Sequence, residues 1–105
     1  PGAQNVFVRS AQEPSLPATY ALLQNYPNPF NSRTVISYSL PAESYVQLKV
    51  FDMMGREIAT LVNELLNAGN HSCKWDALNA SSGVYFYQLT TNSGYTQTNK
   101  LLLLK

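Results

Sequence analysis

GVYFYQLTTNSGYTQTNKLLLLK, residues 83–105, is the stretch from which the fold is read. Its opening nine residues, GVYFYQLTT (83–91), gather valine, tyrosine, phenylalanine and threonine, the residue types that fit a pleated, half-buried surface. Asn92-Ser93-Gly94 then signals a tight turn, and YTQTNKLLLLK (95–105) follows, polar first and apolar last. The 83–91 strand is apolar on both faces, which fits either a central place in a sheet or a surface for a partner. The pattern leaves open whether Tyr85 and Tyr87 or Val84, Phe86 and Gln88 face inward; Tyr85, Tyr87 and Leu89 are the favoured inward set.

Upstream, the same pattern of short strands and turn signals repeats. Tyr20–Asn25 is a first candidate strand, ended by NYPNPFN (25–31), where Pro27 and Pro29 cannot donate to a ladder. TVISYSL (34–40) alternates, with Ile36, Tyr38 and Leu40 on one face, and Pro41 stops it. YVQLKVFD (45–52) alternates again with Val46, Leu48 and Val50 inward. Gly55 stands where a short hairpin needs a left-handed residue, and REIATLV (56–62) returns. NELLNAGN (63–70) reads as a longer connection turning at Gly69, and NHSCKWD (70–76) as a strand carrying Trp75. About seven strands with turn signals every ~8–12 residues predict an all-β, immunoglobulin-like or fibronectin-like antiparallel β-sandwich. The expected core is Ile36, Tyr38, Leu40, Val46, Leu48, Val50, Ile58, Trp75, Val84, Phe86 or its neighbours, and Leu89. Neither a sustained helical period nor an internal repeat occurs.

Residues 1–19, PGAQNVFVRSAQEPSLPAT, mix small, polar and proline residues and read as a linker or the tail of a preceding passenger. NVFVR within them could pair as a strand. The sandwich is assigned to residues 20–105. A length of 105 residues fits one such domain with a thin core.

Net charge is +1 and only 12% of residues are charged, with the basic residues scattered rather than clustered, so nucleic acid is not an expected partner. Leu101–Leu104 is far shorter than the roughly 20 apolar residues of a membrane helix, so membrane insertion is not expected either. The single cysteine, Cys73, forms no internal disulfide.

Reactive residues are few. His71 and Cys73 lie two apart on one strand face, but two ligands fall short of a closed metal site, and nothing nearby orients the imidazole for a nucleophilic pair. Glu13, Glu43, Asp52, Glu57, Glu64 and Asp76 sit mostly beside turn signals, where solvated or turn-capping roles are the default. No phosphate loop or nucleophile elbow occurs. Neither catalysis nor a cofactor is expected. Trp75 and the Tyr85–Tyr87 pair could stack sugars if exposed, or plug the gap between sheets if buried.

The ordered set YPNPFN (26–31), ISYSLP (36–41), VQLKVFDMMGREIATLVNE (46–64), Trp75-Asp76, SSGVYFYQL (81–89) and KLLLLK (100–105) resembles the type A C-terminal sorting domain of the type IX secretion system of Bacteroidetes and related phyla. The likeness covers about residues 20–105. Ser32-Arg33 after the PFN motif and Cys73 before Lys74 depart modestly from the common pattern. The resemblance implies a non-catalytic address: a domain that accompanies its passenger into the periplasm, where a separate N-terminal signal takes both, is recognised there by the outer-membrane translocon, and ends secreted or at the cell surface. It also implies a sortase-like peptidase that cuts within the linker, between Ser10 and Thr19. The processing region is placed at Ser10, Ala11, Gln12, Glu13, Pro14 and Ser15.

The positions matching the family's terminal motifs are Gly83, Tyr85, Lys100 and Lys105. The resemblance implies that Gly83 permits the turn into its strand and that Tyr85 is a core or corner tyrosine tying down a loop. Lys100, Leu101, Leu102, Leu103, Leu104 and Lys105 are the expected translocon contact, on the view that a terminal edge strand offers unpaired backbone groups. The same edge could support a weak dimer. A carbohydrate- or surface-binding accessory module and an inert spacer are the alternatives.

Overall fold

The computed structural model describes residues 16–105. The NVFVR segment and the Ser10–Ser15 processing region lie outside the described residues. Seven strands follow one another: β1 (Ala21–Leu22), β2 (Arg33–Leu40), β3 (Ser44–Phe51), β4 (Glu57–Leu66), β5 (Gly69–Asp76), β6 (Gly83–Thr91) and β7 (Thr96–Leu103). They form a three-stranded sheet, ordered β1-β2-β5, and a four-stranded sheet, ordered β4-β3-β6-β7. Neighbouring strands within both sheets pair antiparallel. The fold is an all-β sandwich. No helix of the described residues is long and apolar enough to cross a membrane.

Alternation builds the core. Ile36, Tyr38 and Leu40 from β2 face Val46, Leu48 and Val50 from β3, and all six are buried. β6 lies between β3 and β7, so its two-sided apolar character reflects a central position. Tyr85, Tyr87 and Leu89 point inward and are buried, as expected; Val84 and Phe86 are only half-buried on the outer face. Leu101 and Leu103 from β7, Val62 from β4 and Phe30 from the segment before β2 complete the core. Trp75 is wedged between Phe30 and Tyr85, with ring centroids 5.7 and 5.6 Å away.

Three expectations are corrected. Ile58 is not core but 42% exposed. Val50 opposes Ala59 while Phe51 opposes Glu57, so Ile58 is the extra residue of a β-bulge, and a second register shift leaves Leu61 without a partner across from Leu48 and Lys49. Each bulge resets the in-out alternation, so Ala59 takes the inward place that Ile58 was assigned. NELLNAGN is not a long connection: β4 runs to Leu66 and β5 starts at Gly69, leaving Asn67-Ala68 between them. The first strand is also shorter than Tyr20–Asn25, because Gln24 and Asn25 turn their bonds to the other sheet and interrupt the ladder before Tyr26 pairs again with Val35 of β2. Gly55, at φ +80°, fills the left-handed position that the β3–β4 turn needs.

Candidate functional site

Gln24–Phe30 runs along the edge of the sandwich, burying Asn25 and Phe30, and stitches the terminal strand to the rest of the molecule. Pro27 and Pro29 have no N–H, so the segment cannot run as a continuous ladder; Tyr26 pairs with Val35 of β2 through two backbone bonds (both 2.9 Å), and the rest turns to β7. The Gln24 amide donates to Lys100 O (2.8 Å), and Leu102 N donates to the Asn28 side-chain oxygen (3.0 Å). Phe30 N donates to Leu102 O (3.0 Å), and Leu104 N donates back to Phe30 O (2.9 Å). Phe30 also forms a parallel bridge with Leu103.

Behind this seam lies a buried polar knot. The Tyr87 hydroxyl donates to Leu23 O (2.7 Å) and accepts from Asn25 N (2.8 Å). Asn99 Nδ2 donates to Leu22 O (3.2 Å), Leu23 O (3.3 Å) and the same hydroxyl (3.3 Å). Asn25, only 2% exposed, donates from Nδ2 to Thr34 Oγ1 (2.9 Å) and Pro27 O (3.1 Å). Burial pushes the Tyr87 hydroxyl above its ordinary pKa, although the Asn99 and Asn25 bonds pull the other way. The hydroxyl is therefore held neutral, as a donor must be. β1 belongs to one sheet and β7 to the other, so Tyr87 and Asn99 are the pins that close this side of the sandwich.

The terminal-motif residues divide by role. Tyr85 is buried, and its hydroxyl donates to Ser81 O (2.6 Å), the geometry of a tyrosine corner that ties down the β5–β6 loop. Gly83 opens β6 at φ +154°, a strained value for any residue with a Cβ. Leu101 and Leu103 are fully buried, whereas Lys100 and Leu104 are exposed and Leu102 is half-buried. Lys105 ends the chain against the β5–β6 loop, with its backbone N on Ser82 Oγ (2.9 Å) and its Nζ on Leu78 O (2.6 Å). The outer edge of β7 is not free along Lys100–Leu104, because Gln24–Phe30 already covers it. Among the described residues, only the start of β7, at Thr96 and Thr98, lacks such cover. Sequence reasoning missed Asn25, Phe30 and Asn99; the one available signal was a proline-interrupted, Asn-rich segment that needs partners from elsewhere.

The chemically reactive candidates serve structural ends. His71 stacks on Tyr38, with centroids 5.6 Å apart, and places Nε2 2.8 Å from Asn67 O. Cys73 is half-buried, and that burial pushes its thiol up to about 11. Tyr38 is pushed up to about 12, chiefly by burial and further by the Cys73 and Glu64 charges. Asp52 caps the β3–β4 turn, accepting from Met54 N (2.9 Å) and Arg56 N (3.0 Å). Among the described residues no group of three His, Cys, Asp or Glu is placed to hold a metal ion. Trp75, Tyr85 and Tyr87 are buried, so no flat aromatic face is built from them and the sugar-binding alternative is not favoured.

A protein-family comparison matches residues 24–104 to the secretion-system C-terminal sorting domain, Por_Secre_tail. The chain belongs to that family. Members are C-terminal sorting signals for type IX secretion, which sends a protein to the cell surface or outside the cell. Among solved structures, the sorting domain is similar to part of dimeric latent PorU from Porphyromonas gingivalis. The two share 18% identity at a TM-score of 0.64, across 84% of this chain and 10% of that one. That likeness supports the sandwich fold. No curated protein matches the chain.

Proposed function

We propose that this domain acts without catalysis, as a folded address recognised by the type IX outer-membrane translocon through its terminal strand and the β5–β6 loop. Lys100, Leu102, Leu104 and Lys105 supply the contact; Leu101 and Leu103, with Gly83 and Tyr85, hold it in place. The carrying observation is that Lys100–Leu103 is bonded on both edges and Lys105 N is held on Ser82 Oγ, so the two lysines are presented by an anchored chain end instead of a loose tail. What recognises them is therefore side chains at fixed spacing, more than free backbone. The passenger precedes the domain, crosses the periplasm with it, and is released by a sortase-like peptidase cutting in the Ser10–Ser15 region.

Deleting residues 100–105 is a poor test, because it also removes two fully buried leucines and the partners of Phe30. The better test is export of a reporter fused to residues 1–105, comparing the parent with Lys100→Ala/Lys105→Ala in a type IX-competent bacterium. Unfolding midpoints are measured alongside. Retention of the double variant in the periplasm, with its midpoint little changed, supports recognition through the lysines. Equal export of both forms sinks it.

A further inference from the structure

Four strand edges bound the sandwich: β1 and β5 in the smaller sheet, β4 and β7 in the larger. An unpaired edge is a template for another strand, and proteins blunt edges by brevity, cover, lysines or prolines, bulges, or a charge turned inward. β1 is two residues long. β7 is covered along Lys100–Leu104. β5 carries an exposed Lys74 among short polar side chains. β4 is blunted only by its two bulges, at Ile58 and Leu61, and by one acid turned inward, and Val62–Leu66 stays in regular register. It is ten residues long, holds no lysine, arginine or proline, and exposes Ile58 (42%) and Leu65 (57%). Among the described residues its far edge pairs with no strand, and the Tyr45 hydroxyl on Asn63 O (3.4 Å) is a weak cover.

Glu64 decides what kind of strand fits there. It stands directly opposite Val46, which is fully buried, so its side chain leaves the sheet on the core-facing side. It is nonetheless exposed, at the open flank where β4 and β5 are both edge strands. Its charge still reaches the Tyr38 hydroxyl inside the sandwich. The ion pairs among the described residues are Arg33–Asp76, Lys49–Glu57 and Arg56–Asp52, so Glu57 has a cation and Glu64 does not. A second copy of the domain laid along β4 brings two acids and no cation from its own β4. Self-pairing thus leaves Glu64 unanswered, whereas a basic segment answers it.

We propose that β4 is a strand-addition site for an extended segment of a partner protein in the secretion apparatus, with apolar residues at alternate positions and a lysine or arginine set against Glu64. This rests on the sorting function proposed above. Backbone bonds along the edge supply affinity, and the Glu64 pairing selects the partner and its register.

The test uses the 1–105 reporter fusion in a type IX-competent bacterium. A photo-crosslinking residue replaces Thr60 on β4 or, separately, Thr98 on β7, and the adducts are sequenced. Export is measured for Glu64→Lys and Glu64→Gln, with unfolding midpoints as controls. The expected result is an adduct from position 60 onto an alternating apolar segment bearing a Lys or Arg. Export should fall about tenfold for Glu64→Lys and less for Glu64→Gln, without loss of stability. Full export of Glu64→Lys overturns the proposal, as does an adduct that forms only from position 98, joins a second copy, or closes within the same chain. If the unmodified fusion is not exported at all, the sorting function itself fails; if it is exported and the Glu64 variants match it, only strand addition at β4 fails.

Discussion

Removing one oxygen atom, with Tyr87→Phe, isolates the bonds that hold the two sheets together at the β1–β7 side. The ring stays in a site with no solvent exposure, so no cavity opens and the packing is unchanged. What disappears is a donor to Leu23 O and an acceptor for Asn25 N and Asn99 Nδ2. Leu23 O keeps Asn99 at 3.3 Å, and the Asn99 amide keeps Leu22 O at 3.2 Å. Asn25 N is left with no partner in a residue only 2% exposed. A buried donor without a partner costs about 1–3 kcal/mol, and a partly compensated bond adds somewhat under 1 kcal/mol, so the loss should be about 2–3 kcal/mol. For a domain of this size each kcal/mol lowers Tm by about 4–8 °C, which predicts a fall of about 10–20 °C. Urea unfolding of parent and variant should show a lower midpoint at unchanged m. Hydrogen exchange should speed up at residues 21–25 ahead of β3 and β6, because those amides lie on the freed segment. A loss below about 0.5 kcal/mol would refute the pinning role, as would exchange that rises evenly across the core.

Two further outcomes follow from the titrating groups. Asp52 is held below its ordinary value of 3.8, first by the Arg56 backbone N–H and, against the opposing effect of desolvation, also by the Arg56 side chain and Met54 N–H. Because the folded pKa is the lower one, its stabilisation is complete above the ordinary value and is lost as pH falls through the folded value. Urea midpoints measured between about pH 2 and pH 6 should therefore drop on the acid side for the parent, with a shallower drop for Asp52→Asn; parallel curves would contradict the capping role. Cys73, pushed from 9.0 to about 11 by burial, should carry about a hundredfold less thiolate near pH 8 than a free thiol. Alkylation should be at least that much slower in the folded domain and recover in urea, and an equal rate in both states would show that the thiol is not buried.

The strand pattern was legible wherever local alternation met a sheet on one face only. Ile36, Tyr38 and Leu40, and likewise Val46, Leu48 and Val50, lie inward as their period of two requires. For β6, apolar on both faces, Tyr85 and Tyr87 were only the favoured inward pair, and their hydroxyl partners, Ser81 and the Leu23–Asn25 backbone, were not legible. Ile58 was misread because a bulge changes the face of a side chain without leaving any mark in the residue types themselves. The terminal strand was legible as an edge in chain order. Its cover was not, since Asn28 and Phe30 reach Leu102 from more than seventy residues away.

By itself, the order of residues determined the class of fold, the order and type of most strands, and the family. These depend on local properties: alternation, β-branched and aromatic content, and turn residues placed where the chain must reverse. Tertiary structure alone decided which edges are closed and which is open. Pairing across an edge joins segments distant in sequence, through backbone groups that every residue carries. Nothing in the residue types announces that Gln24–Phe30 covers Lys100–Leu104 while, among the described residues, β4 pairs with no strand on its far side, or that Glu64, one of six acids in the chain, is the one turned inward at that edge.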